Sequence, residues 1–181
     1  LACHFPEYLD TVAGMDQAFL QDSLPRLSDT LYPIPVFNKQ DSKANEAKLQ
    51  QTQFAQPAIG SFSMGSYKIL NRAGFEPSFI AGHSFGELTA LWAAGVYQDE
   101  DYYQLAKARG QAMAAPEDPS FDAGSMMAVV GAVDELEPHL TDTPDVRVAN
   151  FNSKDQVVIA GPKQQLEQAQ QTLKQAGYKV V

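Results

Sequence analysis

The chain has almost no cysteine. Cys3 is the only one in 181 residues, so no internal disulfide can form. Its place near one end marks it as a reduced bystander and points to a cytoplasmic protein. Basic residues are scarce too: 13 Lys and Arg stand against 22 Asp and Glu, a formal net charge of −9. A chain of that sign repels phosphate backbones and anionic lipid heads, which argues against nucleic acid and membrane surfaces as partners. No apolar run reaches the roughly 20 residues that a bilayer span needs, and no charged-then-apolar leader is visible. The three histidines form no Cys/His cluster at metal-ligand spacing, so no metal is expected. Internal repeats and low-complexity tracts are absent as well. The first residue is not methionine, so the expectation is a piece cut from a longer polypeptide. What is present is ordinary globular usage, 44% hydrophobic and 19% charged. A chain of this length buries about 70% of its extended surface on folding. Wholly disordered, collagen-like and disulfide-scaffold chains are thereby excluded.

Hydrophobic spacing predicts the elements. Residues 1–20 read as helix, with Phe5, Leu9, Val12, Met15 and Phe19 three and four apart. Residues 21–53 are polar and broken by prolines, which suits short helices and loops. A longer helix is expected over 54–73, with Ile59, Phe62, Met64, Tyr67 and Ile69–Leu70 on a buried face and Gly74 as its C-cap. Residues 77–81 form an apolar run that reads as a buried strand. Helices follow from Leu88 to a stop at Gly95 and over 99–114, and 116–124 reads as a boundary loop. Beyond it the pattern changes to strand 126–133, helix 134–140, strands 146–151 and 156–160, helix 163–176 and strand 178–181. That βαββαβ order is the ferredoxin-like split unit. The expected division is therefore 1–122 and 123–181.

One short motif carries chemistry. Gly82-His83-Ser84-Phe85-Gly86-Glu87 sits between the expected strand and a helix, the context of a nucleophile elbow. Such an elbow needs a strained backbone at the serine, with glycines two residues away on either side to avoid Cβ clashes. The helix that follows aims its first N–H groups at the site, so the Phe85 amide is the candidate oxyanion donor. The plainer alternative is a chance GxSxG in a loop. Arg109 is the second candidate. It shares a helical stripe with Leu105 and Met113, which predicts that it faces inward and needs an anionic partner. That partner is either an internal Asp or Glu or a substrate carboxylate held by the guanidinium fork, unless the side chain snorkels to water. His83 is adjacent to Ser84, and neighbouring side chains diverge at an elbow, so a structural role suits it better than that of base. His4 and His139 are no better placed, and a serine without a base is a weak nucleophile.

The GHSxGE hexapeptide resembles that of malonyl-CoA:acyl-carrier-protein acyltransferases. Ala55-Gln56-Pro57-Ala58 resembles the start of the family's QPA helix. Arg109-Gly110-x-x-Met113, beginning 25 residues after the serine, resembles its RGxxM segment. Asn150-Phe151-Asn152-Ser153 and Gln156-Val157-Val158-Ile159-Ala160-Gly161 resemble the strand pair of its small subdomain. The stretches 81–95 and 106–116 are most similar to the acyltransferase domain of bacterial polyunsaturated fatty acid synthases, which are polyketide-synthase-like enzymes. The resemblance implies an α/β fold: an α/β-hydrolase-like larger subdomain with an inserted ferredoxin-like one. It implies that Ser84 becomes a malonyl ester by attack on malonyl-CoA and passes the group to the phosphopantetheine thiol of an acyl carrier protein. It further implies no bound cofactor, Arg109 as the carboxylate clamp, Gln56, Met113 and Phe85 around the acyl group, Asn150 and Asn152 along the thioester arm, and a neighbouring ketosynthase domain in the parent. For Met113 and Phe85 core packing is the plainer alternative; for Gln56 it is satisfying backbone groups, and for the two asparagines holding a turn.

In that family the general-base histidine and the glutamine-bearing loop that gives the other oxyanion donor lie outside the matching segment. The isolated piece is therefore expected to be inactive or nearly so. Two other classes stay open on the motif alone: a serine hydrolase or thioesterase, and a non-catalytic docking module. Lys68, Arg72, Lys154 and Lys163 are candidates for a basic patch toward an acidic carrier protein, with a solvated surface as the default.

Overall fold

The computed structural model describes residues 2–116, 118 and 121–181, so the expected loop over 116–124 lies partly outside the described residues. The chain divides into two compact units, Leu1–Ala114 and Ala115–Val181.

The first unit is helical. Helix α1 (Pro6–Gln21) starts at a proline, whose fixed φ and missing N–H suit a first helical position. It starts later than the spacing predicts, and its buried stripe is Tyr8, Thr11, Val12, Met15, Ala18 and Phe19. Phe5 and Leu9 are exposed instead. The Asp16 carboxylate accepts both the N–H (2.8 Å) and the hydroxyl (2.6 Å) of Ser28, holding the start of α2 (Ser28–Leu31). Helix α3 (Lys39–Gln50) buries no residue.

Helix α4 (Thr52–Arg72) is the hub. Its buried face is only partly the expected one: Met64 is buried and Tyr67 packs on the core, but Ile59, Phe62 and Leu70 are more than half exposed. The buried residues are Gln56, Pro57, Ala58, Gly60, Ser61, Met64 and Gly65. The reason is close approach. A Cβ on Gly65 would lie 2.6 Å from the Tyr8 ring, and one on Gly60 2.8 Å from the Tyr102 hydroxyl. Small side chains let the neighbouring helices in, and the large ones are left outside. Gly74, at φ +91, ends the helix as expected, with Phe75 N–H donating to Leu70 O at 3.0 Å.

Residues 77–81 are not a strand. They form no ladder, bend at Ser78, and leave Phe79 94% exposed. An apolar run becomes a strand only where another strand can pair with it, and the described residues of this unit contain none. Helix α5 (Gly86–Ala93) follows the motif and stops at Gly95, φ +81. Helix α6 (Asp99–Ala112) returns across α4. Lys107, buried on α6, donates to Ala18 O at 2.6 Å and pairs with Asp22 at 2.5 Å, closing the C-terminal end of α1. Met15, Phe19, Leu27, Met64, Phe85, Trp92, Tyr102 and Tyr103 belong to one core.

The second unit is a four-stranded antiparallel sheet with one covering helix. Its strands are β1 (Ser125–Val130), β2 (Arg147–Ser153), β3 (Gln156–Gly161) and β4 (Lys179–Val180), in the order β2-β3-β1-β4. β1 ends three residues earlier than expected, before Gly131 at φ +155, where a Cβ would strike the Tyr178 ring at 2.5 Å. The helix expected over 134–140 is two 3-10 turns, Val133–Glu135 and Glu137–Leu140; the segment is short, and Pro138 has no N–H to give. Helix α7 (Lys163–Gln175) buries Leu166, Ala169 and Leu173 in one core with Val129, Val157 and Ile159. β2 and β4 are the edge strands; β2 shifts register twice against β3, and such irregularity blunts a free edge against unwanted pairing.

The buried tyrosines make the helical unit sensitive to alkali. Burial pushes the Tyr102 phenol from the ordinary 10 up to about 12, partly offset by its hydrogen bond to Thr89. Burial also raises Tyr8 and Tyr103. A phenol whose folded pKa is raised stabilises the fold below its unfolded pKa, and that stability drains away as pH climbs toward the folded value. Urea midpoints of this unit are expected to hold up to about pH 10 and to fall between about pH 10 and 12, with a shallower fall in Tyr102→Phe.

Candidate active site

The motif forms a corner at the start of α5. Ser84 has φ +54, a left-handed conformation that costs a side-chain-bearing residue about 1–2 kcal/mol. Two neighbours impose it. Gly82 lies so close to the returning chain that a Cβ there would meet Gly86 O at 2.1 Å. Phe85, 7% exposed, is pinned in the helical core, and Gly60 on α4 leaves room for its ring, which a Cβ would approach to 2.9 Å. Beneath the corner the Tyr102 and Thr89 hydroxyls share a hydrogen bond of 2.7 Å. Tight bonds from Gly86, Glu87 and Leu88 N–H to the carbonyls of His83, Ser84 and Phe85 close the first turn. No backbone carbonyl among the described residues accepts from the Phe85 N–H. Gly86 is the exception to the reading of both glycines: a Cβ there meets nothing within 4 Å.

Arg109 comes from α6 and reaches the same corner. Its Nη2 lies 3.5 Å from Ser84 Oγ, and its guanidinium sits 5.8 Å from the centre of the Phe85 ring. Its Nη1 donates to Gln56 Oε1 on α4. The stripe that predicts an inward Arg109 does not hold: Leu105 and Met113 are exposed, Arg109 is half-buried, and α6 buries Tyr102, Tyr103, Ala106, Lys107 and Gly110 instead. The helix crossing sets its position. A Cβ on Gly110 would lie 3.0 Å from Thr52 O and 3.1 Å from Gln53 Cα, so glycine lets α6 lie tightly against the start of α4.

Gln56 is 8% exposed. Its Nε2 donates to Thr52 Oγ1 at 2.7 Å and to Met113 Sδ at 3.4 Å. Thus Gln56, Ser84, Phe85, Arg109 and Met113 form one connected cluster in the first unit. Asn150 and Asn152 belong to the second unit, exposed on β2; Asn152 falls at a bulge, and its Nδ2 lies 3.4 Å from Gln156 Oε1. Sequence reasoning missed Thr52, Gly60 and Gly110. A threonine one helical turn before Gln56 was the available signal for the first; nothing in the chain pairs the two glycines with their neighbours.

A serine on a strained corner, with a guanidinium at its hydroxyl, is equipped to attack an acyl carbonyl while a cation holds a negative group beside it. The chain belongs to the acyl transferase domain family, whose model matches residues 10–181. It is 30% identical over its whole length to a polyunsaturated fatty acid synthase polypeptide of Thraustochytrium sp., of which it covers 6%. Over 121 residues, 66% of the chain, it is 40% identical to the malonyl CoA-acyl carrier protein transacylase of Synechocystis sp., of which it covers 39%. Its structure matches, at a TM-score of 0.78 and 31% identity, a chain from a complex of a type II polyketide synthase acyl-carrier protein with its malonyl-transacylase, covering 99% of this chain and 54% of that one. The chain thus spans about half or less of the relatives it matches.

The corner predicts a contrast between its glycines. Gly82→Ala is expected to cost roughly 3 kcal/mol or more, because the clash is with backbone, whereas Gly86→Ala stays within about 0.5 kcal/mol of the parent. Ser84→Gly is expected to gain up to about 1 kcal/mol by releasing the left-handed strain. Urea denaturation of the three variants measures all of these.

Proposed function

We propose that the protein carrying this chain moves a malonyl group from malonyl-CoA to the phosphopantetheine thiol of an acyl carrier protein, in polyketide-type polyunsaturated fatty acid biosynthesis. One observation carries the reading: Arg109 holds its guanidinium at the Ser84 hydroxyl on neutral partners. Among the described residues the ion pairs are Arg26–Asp29, Lys68–Asp99, Arg72–Glu7 and Lys107–Asp22, and none involves Arg109. A cation aimed at a nucleophile and not neutralised by any described residue suits an acyl group that brings its own carboxylate.

Ser84 Oγ attacks the thioester carbonyl of malonyl-CoA and gives its proton to a base. The oxyanion forms against the Phe85 N–H at the start of α5. The C–S bond then breaks, the CoA thiolate takes a proton and leaves, and Ser84 carries a malonyl ester. The carrier's thiol attacks that ester, the bond to Oγ breaks, and the hydroxyl is restored. Arg109 clamps the malonyl carboxylate in both halves of this ping-pong sequence, and acetyl groups leave it unpaired. Met113 and Gln56 border the acyl group, and Asn150 and Asn152 line the thioester arm.

The finer architecture belongs to the same proposal. The first unit is part of an α/β-hydrolase-like subdomain and the second an inserted ferredoxin-like one, a reading that the β2-β3-β1-β4 order supports. The parent is cytoplasmic and carries a ketosynthase domain beside this one, as the likeness to a polyunsaturated fatty acid synthase suggests. Among the described residues no helix is long and apolar enough to cross a membrane. Lys68 and Arg72 are already paired, with Asp99 and Glu7. That leaves Lys154 and Lys163 as the carrier-docking candidates among the four basic residues named for that role. The general base and the second oxyanion donor lie outside these residues, so the excised piece transfers malonyl groups orders of magnitude more slowly than the parent.

The test is acylation. Mass spectrometry of the parent after incubation with malonyl-CoA is expected to find the malonyl group on Ser84, persisting until carrier protein is added. Arg109→Ala is expected to lower the rate of malonyl loading about 100-fold, through the loss of two charge-assisted hydrogen bonds, and acetyl loading far less. Rapid hydrolysis of the ester would instead mark a hydrolase, and an unacylated Ser84 would mark a docking module.

A further inference from the structure

We propose that Thr52 is a positioning residue: it locks the Gln56 amide so that its oxygen faces Arg109, and so presents the guanidinium as an oriented cation with no counter-charge among the described residues. This rests on the acyl-transfer reading above. The observation is a chain of contacts from Thr52 Oγ1 through Gln56 to Arg109 and Ser84 Oγ.

A glutamine amide has two faces of nearly the same shape, and only its oxygen can accept from a guanidinium. Turned over, it would set its N–H groups against those of Arg109, which has no acceptor. Arg109, a pure donor, selects the oxygen, and two contacts then hold the NH2 end in place. The Thr52 hydroxyl, one helical turn earlier on α4, takes one Nε2 hydrogen at 2.7 Å. The Met113 sulfur, which can only accept, receives the other at 3.4 Å. The amide is buried, so an unused N–H there has little access to water as a substitute. Gly110 brings α6 to within close range of Thr52 itself, so one residue both seats the crossing helix by its backbone and aligns the arginine by its side chain.

The choice of an amide also matters. A carboxylate at position 56 would hold Arg109 equally well and cancel its charge. The amide fixes direction while leaving the full charge for the acyl group. On this reading Gln56 acts on selectivity through Arg109, and its contact with the acyl chain is secondary. Thr52 acts one step further back.

The test uses two readouts in the protein that carries this chain. The first is Ser84 loading from malonyl-CoA and from acetyl-CoA, each as kcat/KM. Thr52→Val, which keeps the shape and removes the hydroxyl, is expected to lower the malonyl value about 10-fold, the scale of one hydrogen bond, and the acetyl value less than about twofold. Thr52→Ser is expected to restore the malonyl value to within about twofold. Gln56→Glu is expected to lower it about 100-fold and acetyl loading by a clearly smaller factor. The second readout is titration with free malonate, followed at the Arg109 Nε–H resonance by NMR. Its apparent affinity is expected to weaken about 10-fold in Thr52→Val and to recover in Thr52→Ser.

An unchanged malonyl-to-acetyl ratio in Thr52→Val, or an equal fall in both, overturns the proposal. So does malonate that binds the variant as it binds the parent, or that leaves Arg109 unperturbed in the parent. If Thr52→Val does not fold, Thr52→Ser and Gln56→Glu decide by the same readouts. Absence of any acyl group on Ser84 in the parent sinks the acyl-transfer reading instead, and the malonate titration still judges the role of Thr52.

Discussion

The left-handed backbone at Ser84 is the constraint around which the helical unit is arranged. A serine adopts it reluctantly, at a cost of about 1–2 kcal/mol, and the surrounding packing supplies more than that. Burying a phenylalanine ring contributes roughly 2–3 kcal/mol, and Phe85 is buried next to the strained residue. Gly60 makes room for the ring and Gly82 for the returning chain. The strain is offset by the core itself, and it leaves the hydroxyl exposed at the start of α5.

The second element of order is how a positive charge is delivered to that hydroxyl in an acidic chain. α6 is anchored along its length. Asp99 at its start accepts from the Trp92 indole and pairs with Lys68; Lys107 grips the end of α1; Gly110 touches the start of α4. With the helix so held, Arg109 has a short reach to Ser84 and to Gln56. The ion pairs on Lys68, Arg72 and Lys107 serve the scaffold, whereas Arg109 is fixed by neutral groups. Arg109 is thus set apart from the other three cations by what holds it.

Much of this is legible from residue types. The corner follows from Gly82-x-Ser84-x-Gly86 ahead of a helical pattern, and the helix ends follow from Gly74 and Gly95, both at positive φ. Strand periodicity in the second half places β1, β2, β3 and β4 within a few residues. The failures share a cause. The strand expected over 77–81 needs a partner that no local pattern can supply. Hydrophobicity assigns the buried face of α4 to its largest side chains, whereas close helix contact selects small ones. The inward placement of Arg109 rests on a stripe with Leu105 and Met113 that is in fact exposed; Arg109 does lie at Ser84, but not for the reason that stripe gave.

The amino-acid sequence alone determined most of the elements and the chemical groups, since glycine, proline and periodicity act over a few neighbouring residues. It also determined the family, through motifs whose order along the chain is itself specific. Tertiary structure decided which groups meet: Thr52, Gln56, Arg109 and Ser84 converge only because α6 lies against the start of α4 at Gly110. That contact joins residues 58 positions apart, Thr52 and Gly110, and depends on an absent Cβ. No spacing rule reads such a contact, because it is set by the fit of two helix surfaces rather than by the repeat of either.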